Sequence, residues 1–519
     1  MSRGAMEADV LVVGGGIAGM AFAERMTALK PGVCIILLSK APVEDSNSYL
    51  AQGGVAAVVL PEDSVEEHVQ DTLTVGAGRC DPHVVRLVVE EGPKAIARLL
   101  DAGARFDADA QGRLQLAREG GHSQARVVHY RDTTGAEIVR VLRDRVAAGP
   151  DITVVDHQHA LDLLAEGEGM DRRCVGVRTL DDRTGNVREL RAGAVVLATG
   201  GLGQVYRHTT NPVAATGDGI VMAIRAGVPL RDMAFVQFHP TALYDEQGGP
   251  TFLISEAVRG AGAHLLRLDG SPLMQGIHPK GDLAPRNVVA REIHRAILQD
   301  GGAHVWLDTA PIGVAAFAKL FPNIANVCGQ RGLVGGRDRI PVMPAAHYSC
   351  GGILTDDRGR TALAGLFALG ECASSGLHGA DRLASNSLLE ALVMPARAAE
   401  TLAAGPRHQE GGGATVQEAA FRMEGDVADA QAMRNELKDL MTAKAGILRT
   451  MGDLTAARER LGEMDARCRE ALARSQPAWA WAQVRNMVQV AAAIVDSALG
   501  QAGNAGAHWC EEWAGRTVA

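Results

Sequence analysis

Residues 8–19 read ADVLVVGGGIAG. Four apolar residues, Val10 to Val13, run into a Gly14-x-Gly16-x-x-Gly19 pattern; a helix-like stretch from Met20 to Ala28 follows, then a second strand-like run from Val33 to Leu38. The order strand, glycine turn, helix, strand predicts a βαβ unit. In such a turn the first glycine permits the tight bend, the second lets backbone approach a pyrophosphate, and the third lets helix and strand pack closely, with the helix N-terminus facing the phosphates. Gly15, Ile17 and Ala18 complete the turn, and the segment is expected to bind a dinucleotide.

The second strand ends Leu38-Ser39-Lys40, without the acidic residue that commonly bonds a ribose hydroxyl. Lys40 could meet a 2′-phosphate, which points to NADPH, or stand as a solvated loop residue. Two other segments favour FAD. Asn47-Ser48-Tyr49-Leu50-Ala51-Gln52-Gly53-Gly54 supplies small residues and backbone donors suited to a flat ring, and Thr216-Gly217-Asp218-Gly219 offers a further turn with a carboxylate. Another strand-like run, Ala194 to Ala198, ends in Thr199-Gly200-Gly201. Two glycine turns at strand ends, far apart in sequence, imply one nucleotide domain assembled from separated segments.

The fold class expected is α/β: a Rossmann-like domain over 1–230 plus 350–403, an inserted α+β capping domain over 231–349, a linker at 404–415 and a three-helix domain over 416–519. The insert is rich in Pro and Gly, with helical stretches near Val288 to Leu298 and Val314 to Phe321. In the tail, Leu437, Leu440, Met441, Leu448 and Met451 recur at helical spacing, as do Leu454, Leu461, Met464 and Leu472, and then Val484, Met487, Val488, Ala491, Val495 and Leu499. Such stripes read as packed core rather than cofactor contacts.

A chain of 519 residues, 47% hydrophobic, can bury a large core and form several domains. Its 52 Lys+Arg against 61 Asp+Glu leave a net charge of -9, so no global positive field is available for nucleic acid or an anionic membrane. The opening residues lack a signal-peptide apolar run and no later stretch approaches the ~20 apolar residues of a spanning helix, so a cytoplasmic protein is expected. Eight scattered cysteines without a C-x-x-C pair argue against a metal cluster or disulfide scaffold and fit a reducing compartment, most of them as small buried hydrophobes.

The segments GGGIAG, SYLAQGGVAA, ATGGLGQVY, TGDG, QFHPTAL, SEAVRGAGA, APRNVVAREI, PAAHYSCGGI and ALGECASSGLHGADRLASNSLLE, in that order, resemble the succinate dehydrogenase and fumarate reductase flavoproteins, and within them the aspartate-oxidising branch. The resemblance covers nearly the whole chain. It implies FAD along the glycine turn and the Asn47 to Gly54 segment, with Ser39, Lys40, Thr199, Gly200, Asp218, Glu371, Ser387 and Leu388 as further contacts, and a cap that encloses substrate over the flavin. The succinate branch usually carries a flavin-linking histidine where this chain has Asn47, so FAD is expected to be non-covalent.

Within Arg118-Glu119-Gly120-Gly121-His122, Glu119 stands where the succinate branch tends to carry an aromatic. An ammonium in a closed site needs an accepting partner, which a carboxylate supplies and succinate would not use. The dicarboxylate clamp implied is Arg286, Arg382, His239 and His347, with the hydroxyl of Ser255; forked guanidinium groups suit planar carboxylates. The resemblance makes Arg286 the proton-transfer residue, supported by Glu256 and Arg259, although a guanidinium is effectively always protonated. One departure stands nearby: Arg259-Gly260-Ala261-Gly262 replaces the family's R-G-E-G, which puts a proton relay there in doubt. The implied reaction is oxidation of L-aspartate to iminoaspartate with oxygen or fumarate as acceptor, upstream of quinolinate synthase in NAD biosynthesis. The alternatives are a soluble fumarate reductase or succinate dehydrogenase subunit, and a non-catalytic FAD-binding protein whose tail docks a partner. His157 and His159 have no comparable context and are expected at the surface.

Overall fold

The computed structural model describes residues 8–244, 246, 249–405, 415–417, 421–423, 427–474 and 478–515. The apolar run Ala8–Val13 is a central strand, paired in parallel with Ile35–Leu38 on one side and with Val187–Leu197 on the other. Ile152–Val155 extends the sheet beyond Ile35–Leu38, and Leu366–Ala368, arriving from far along the chain, adds in parallel to Val187–Leu197. Parallel strands are covered on both faces, which is why Val10 to Val13, Ile35–Leu38 and Ala194 to Leu197 are apolar without alternation. Helix Ile17–Leu29 packs on Asn386–Ala404, so the sheet's cover also comes from separated segments. Because the strands on either side of Ala8–Val13 run outward from it in opposite order, the glycine turn sits at a topological switch point, where such sheets open a crevice.

A second sheet stands over that crevice. Val236–Leu243 pairs antiparallel with Arg339–Ser349, which pairs on with Val305–Asp308, and that strand with His264–Leu266. Helix Arg286–Asp300 packs against it, and the stretch expected at Val314 to Phe321 is helical over Val314–Leu320. The short strand His208–Thr209 also joins this sheet, through Thr209 and Ala346, so residues ahead of position 231 take part in it.

Three tail helices occupy Val427–Lys444, Met451–Leu472 and Trp479–Leu499. The stripe ending at Leu448 and Met451 was expected to be one helix, but it spans two. The first helix stops at Lys444, Leu448 lies in the connection, and Met451 opens the next helix behind the extended Thr450, whose hydroxyl accepts the Asp453 N–H at 3.0 Å. Hydrophobic period does not register such a cap. The tail shares its core with the first sheet: Met487, Val488 and Ile494 pack in one cluster with Val195, Leu197 and Ile220. The linker expected at 404–415 lies, apart from its edges, outside the described residues.

Six of the eight cysteines are buried, Cys80 is half-buried and Cys34 exposed, all as free thiols. His159 departs from expectation: it is not a surface residue but sits on a strand against Trp479, ring centroids 5.1 Å apart, bonded to Asp182. Among the described residues, no helix is long and apolar enough to cross a membrane.

Candidate active site

A cavity of about 780 Å³ runs from the glycine turn to the space between the two sheets. The turn is shaped by contacts only glycine allows: a Cβ on Gly14, whose φ is +118°, would stand 2.1 Å from the Ala198 carbonyl oxygen, and one on Gly19 would stand 2.0 Å from the Gly14 oxygen. Gly19 therefore serves helix–strand packing and does not line the cavity, whereas Gly14, Gly15, Gly16, Ile17 and Ala18 do. The same walls include Ser39, Lys40, every residue from Asn47 to Gly54, Thr199, Gly200, Asp218, Glu371, Ser387 and Leu388. Ser48 places its hydroxyl at the helix start, where it accepts the Ile17 N–H at 3.0 Å.

Lys40 is not a free cation. Its ammonium lies 2.6 Å from Asp218, whose other oxygen accepts from Asn486 of the tail at 3.0 Å. That pairing occupies the charge a 2′-phosphate would need, and it weighs against NADPH. Asn47 donates to Glu371 at 3.0 Å, and Ser349 N–H donates to the other Glu371 oxygen at 3.1 Å. Burial pushes the Glu371 carboxyl up to about 7. A long groove with a bare backbone turn at one end, and with its lysine already paired to a carboxylate, fits a flavin dinucleotide.

The far end of the cavity is lined by Glu119, His239, Ser255, Glu256, Arg286, His347 and Arg382. Strand Val236–Leu243 alternates, so Gln237, His239 and Thr241 share one face. Arg286 is the first residue of its helix and donates through Nε to Glu256 at 2.8 Å. Burial draws the Arg286 guanidinium down, but Glu256 and Glu119 outweigh it and hold its proton more firmly than usual. Arg382 lies over the Tyr348 ring, 4.3 Å from its centroid, and donates to Ser387. The Arg382 Nε is buried without a hydrogen-bond partner in the protein.

Gln237 ties the two guanidinium groups together. Its amide donates to Asp381 at 2.6 Å and to the Arg382 carbonyl at 2.8 Å, so its oxygen faces the cations and accepts from Arg286 at 3.2 Å and from Arg382 at 3.1 Å. Sequence reasoning missed Gln237, Asp381 and Ser385; the polar alternation 237, 239, 241 on one strand was the available signal for the first.

His239 and His347 meet edge to face with centroids 5.1 Å apart. Both are held well below the usual imidazole range, His239 by burial and then Arg286, His347 by burial and then Arg382. They act as neutral donors rather than cations. Thr241 N–H donates to the His239 Nδ1 at 3.2 Å, which leaves its proton on Nε2. Ser255 starts a short helix whose Ala257 N–H its hydroxyl accepts at 3.3 Å. Arg259 does not line the cavity: it sits behind Glu256 at 3.5 Å and donates to the Asp282 carbonyl. Ala261, at the end of that helix, places a methyl where a relay would need a carboxylate.

Glu119 is 4% exposed and accepts from Ser385 at 2.6 Å. Burial raises its pKa, opposed by Arg286 and by the Ser385 hydroxyl. Two buried carboxylates, Glu119 and Glu256, thus stand beside the two guanidinium groups, and Glu256 is the one hydrogen-bonded to Arg286.

The family described as FAD binding domain matches residues 9–388, and the one described as fumarate reductase flavoprotein C-term matches residues 434–517. L-aspartate oxidase of Streptomyces coelicolor is 42% identical, over 99% of this chain and 90% of its own. The chloroplastic L-aspartate oxidase of Arabidopsis thaliana is 40% identical, over 97% of this chain and 81% of its own. Among solved structures, the FrdA chain of E. coli quinol fumarate reductase superposes with a TM-score of 0.86 at 30% identity, covering 97% of this chain and 91% of that one. With the turn, the groove and the arginine-lined chamber in one continuous space, and relatives of this identity along almost its full length, the chain belongs to the L-aspartate oxidase family of FAD-dependent fumarate reductase and succinate dehydrogenase flavoproteins.

Proposed function

We propose that the protein oxidises L-aspartate to iminoaspartate, with oxygen or fumarate as the acceptor that restores the flavin. The observation that carries this reading is Glu119, a buried carboxylate in a chamber of guanidinium and imidazole donors whose other carboxylate, Glu256, is already paired with Arg286. A dicarboxylate without an amine gives Glu119 nothing to bind and would leave it repelling both acid ends.

FAD, when bound, supplies the hydride acceptor. The glycine turn, the Asn47 to Gly54 segment, Asp218 and Glu371 would hold it. Asn47 offers no ring nitrogen for a covalent link, so acid precipitation is expected to leave the yellow colour in solution. Arg286 and Arg382 receive the substrate carboxylates, with His239 Nε2–H and His347 as neutral donors beside them. Fixing both ends leaves the substrate Cα one orientation, and such restriction contributes on the order of 7 to 11 kcal/mol in favourable cases. Arg286 acts as a fixed charge here, since Glu256 and Glu119 strengthen its hold on its proton. Glu119 binds the ammonium and so selects the amino acid over its unsubstituted analogues.

The deciding experiment is anaerobic mixing of the purified yellow protein with L-aspartate while following flavin absorbance. Bleaching by aspartate supports the reading; bleaching by succinate but not aspartate rejects it in favour of a fumarate reductase or succinate dehydrogenase subunit. That second reading draws on the likeness to fumarate reductase and the shared clamp, and Glu119 and Asn47 speak against it. Glu119→Gln is expected to lower aspartate oxidation at least tenfold more than fumarate reduction, because a charge-assisted bond is lost only with the ammonium. The product, an unstable imine, fits a supply role for quinolinate synthase at the first step of de novo NAD biosynthesis, in the cytoplasm.

A further inference from the structure

We infer that Ser385 is a positioning residue whose hydroxyl aims the Glu119 carboxylate at the substrate ammonium. This rests on the reading of Glu119 given above and goes beyond it, since Ser385 was assigned no part in recognition.

Ser385 is one of five non-glycine residues among those described with positive φ, at +62°, just ahead of helix Asn386–Ala404. A serine there is strained by about 1 kcal/mol or more, and glycine would not be. The side chain has a use that fits the strain. Gly54 N–H donates to the Ser385 hydroxyl at 3.3 Å, which occupies an acceptor site and leaves the hydroxyl proton for Glu119 at 2.6 Å. A Cβ at Gly53 would stand 3.0 Å from the other Glu119 oxygen and 3.4 Å from the Ser385 hydroxyl, so the bare backbone there leaves room for the pair.

The neighbouring backbone is braced from the Glu119 loop itself. Ala56 N–H donates to the Ser385 carbonyl at 3.1 Å, and His122 bonds the Ala384 carbonyl at 2.9 Å. The His122 Nδ1 accepts a hydrogen bond from Arg126 at 3.0 Å, so the Nε2 must be the donor to Ala384 and the ring is neutral. Arg126 is fully buried and anchored by both oxygens of Asp63, at 2.8 and 2.9 Å, and by Asp71. Acceptor and donor, Glu119 and Ser385, are thus fixed to one another through a single polar scaffold.

The charged groups facing Glu119 are Arg286 from the cap helix, Arg382 from the loop ahead of Ser385, and Glu256 and Arg259 from the short cap helix. With the hydroxyl gone, the guanidinium groups alone oppose burial and Glu256, so the carboxyl holds its proton to higher pH.

The test uses the FAD-loaded enzyme with Ser385→Ala and Ser385→Gly. Glycine relieves the backbone strain while removing the same hydroxyl, so it carries the test if the alanine variant does not fold. The expected result is a loss of kcat/KM for L-aspartate, mostly through KM, about tenfold larger than the loss for fumarate reduction. The acidic limb of the aspartate profile is expected to move to higher pH in both. Equal losses on the two substrates, an unmoved limb, or full activity in the glycine variant would each overturn the inference. Glu119→Gln in the same assays separates the two claims: if it is selective against aspartate and the Ser385 variants are not, only the role of Ser385 falls. If Glu119→Gln is itself unselective, the underlying reading falls.

Discussion

Arg286 and Arg382 share one acceptor, the side-chain oxygen of Gln237, although Gln237 and Arg382 lie 145 positions apart in the chain. Such sharing is why the clamp was legible in the sequence as a set of residue types but not as a mechanism. Arginines and histidines in matching motifs announce anion binding, while the alternation of Gln237 with His239 and Thr241 marks a polar face without saying which partners the glutamine joins. The same holds for Asp381, which fixes the amide's orientation. Arg286→Leu is expected to reduce turnover by about 10³-fold or more with flavin still bound, because it removes a preorganised charge and strands Glu256. Loss of flavin instead would make the residue structural. Gln237→Leu is expected to cost about 2 to 4 kcal/mol in kcat/KM, since it leaves two guanidinium groups and Asp381 short of partners. A loss below threefold would show that the arginines orient themselves.

Helix Arg286–Asp300 carries Arg286 at its first position and is gripped from outside by the chain's end. Asn287 donates to the Gly506 carbonyl at 2.8 Å, the Arg291 guanidinium lies 4.0 Å over the Trp509 ring, and Arg295 reaches Glu511 at 3.3 Å. Ala507 N–H donates to the Ala380 carbonyl at 2.9 Å, next to Asp381 and Arg382. One short segment therefore ties both clamp-bearing elements. Trp509→Ala is expected to loosen this helix by about 1 to 2 kcal/mol, seen as faster amide exchange along Arg286–Asp300 and a lower kcat/KM with flavin content unchanged. Unaltered exchange would mean the stacking is incidental. Elements were the most legible scale here: strand, turn and helix at the N-terminus follow from glycine placement and apolar runs. The tail helices were legible as stripes, and the break before Met451 was not, because a stop at Lys444 and a threonine cap that opens the next helix leave the hydrophobic spacing undisturbed.

At the scale of the whole molecule, the tail and the first sheet share one core, and Asn486 reaches back to Asp218 beside the cofactor groove. Nothing in the Met and Leu stripes indicated that a tail helix would contribute to that wall. Burial raises Glu371 from 4.5 to about 7, so its neutral form is favoured in the fold. The stability it contributes is complete below pH about 4.5 and is lost as pH rises to about 7, a change of about 3 kcal/mol. Glu371→Gln in flavin-free protein is expected to flatten urea-unfolding stability over that window by this order. An unchanged slope would place the titration elsewhere. A last consequence belongs to Asn47, whose amide is committed to Glu371 and cannot anchor a flavin permanently. The active population then becomes a question of supply: when riboflavin runs short the polypeptide persists as an idle pool, less resistant to heat by RT ln(1 + [FAD]/Kd), and it recovers on refeeding without new synthesis.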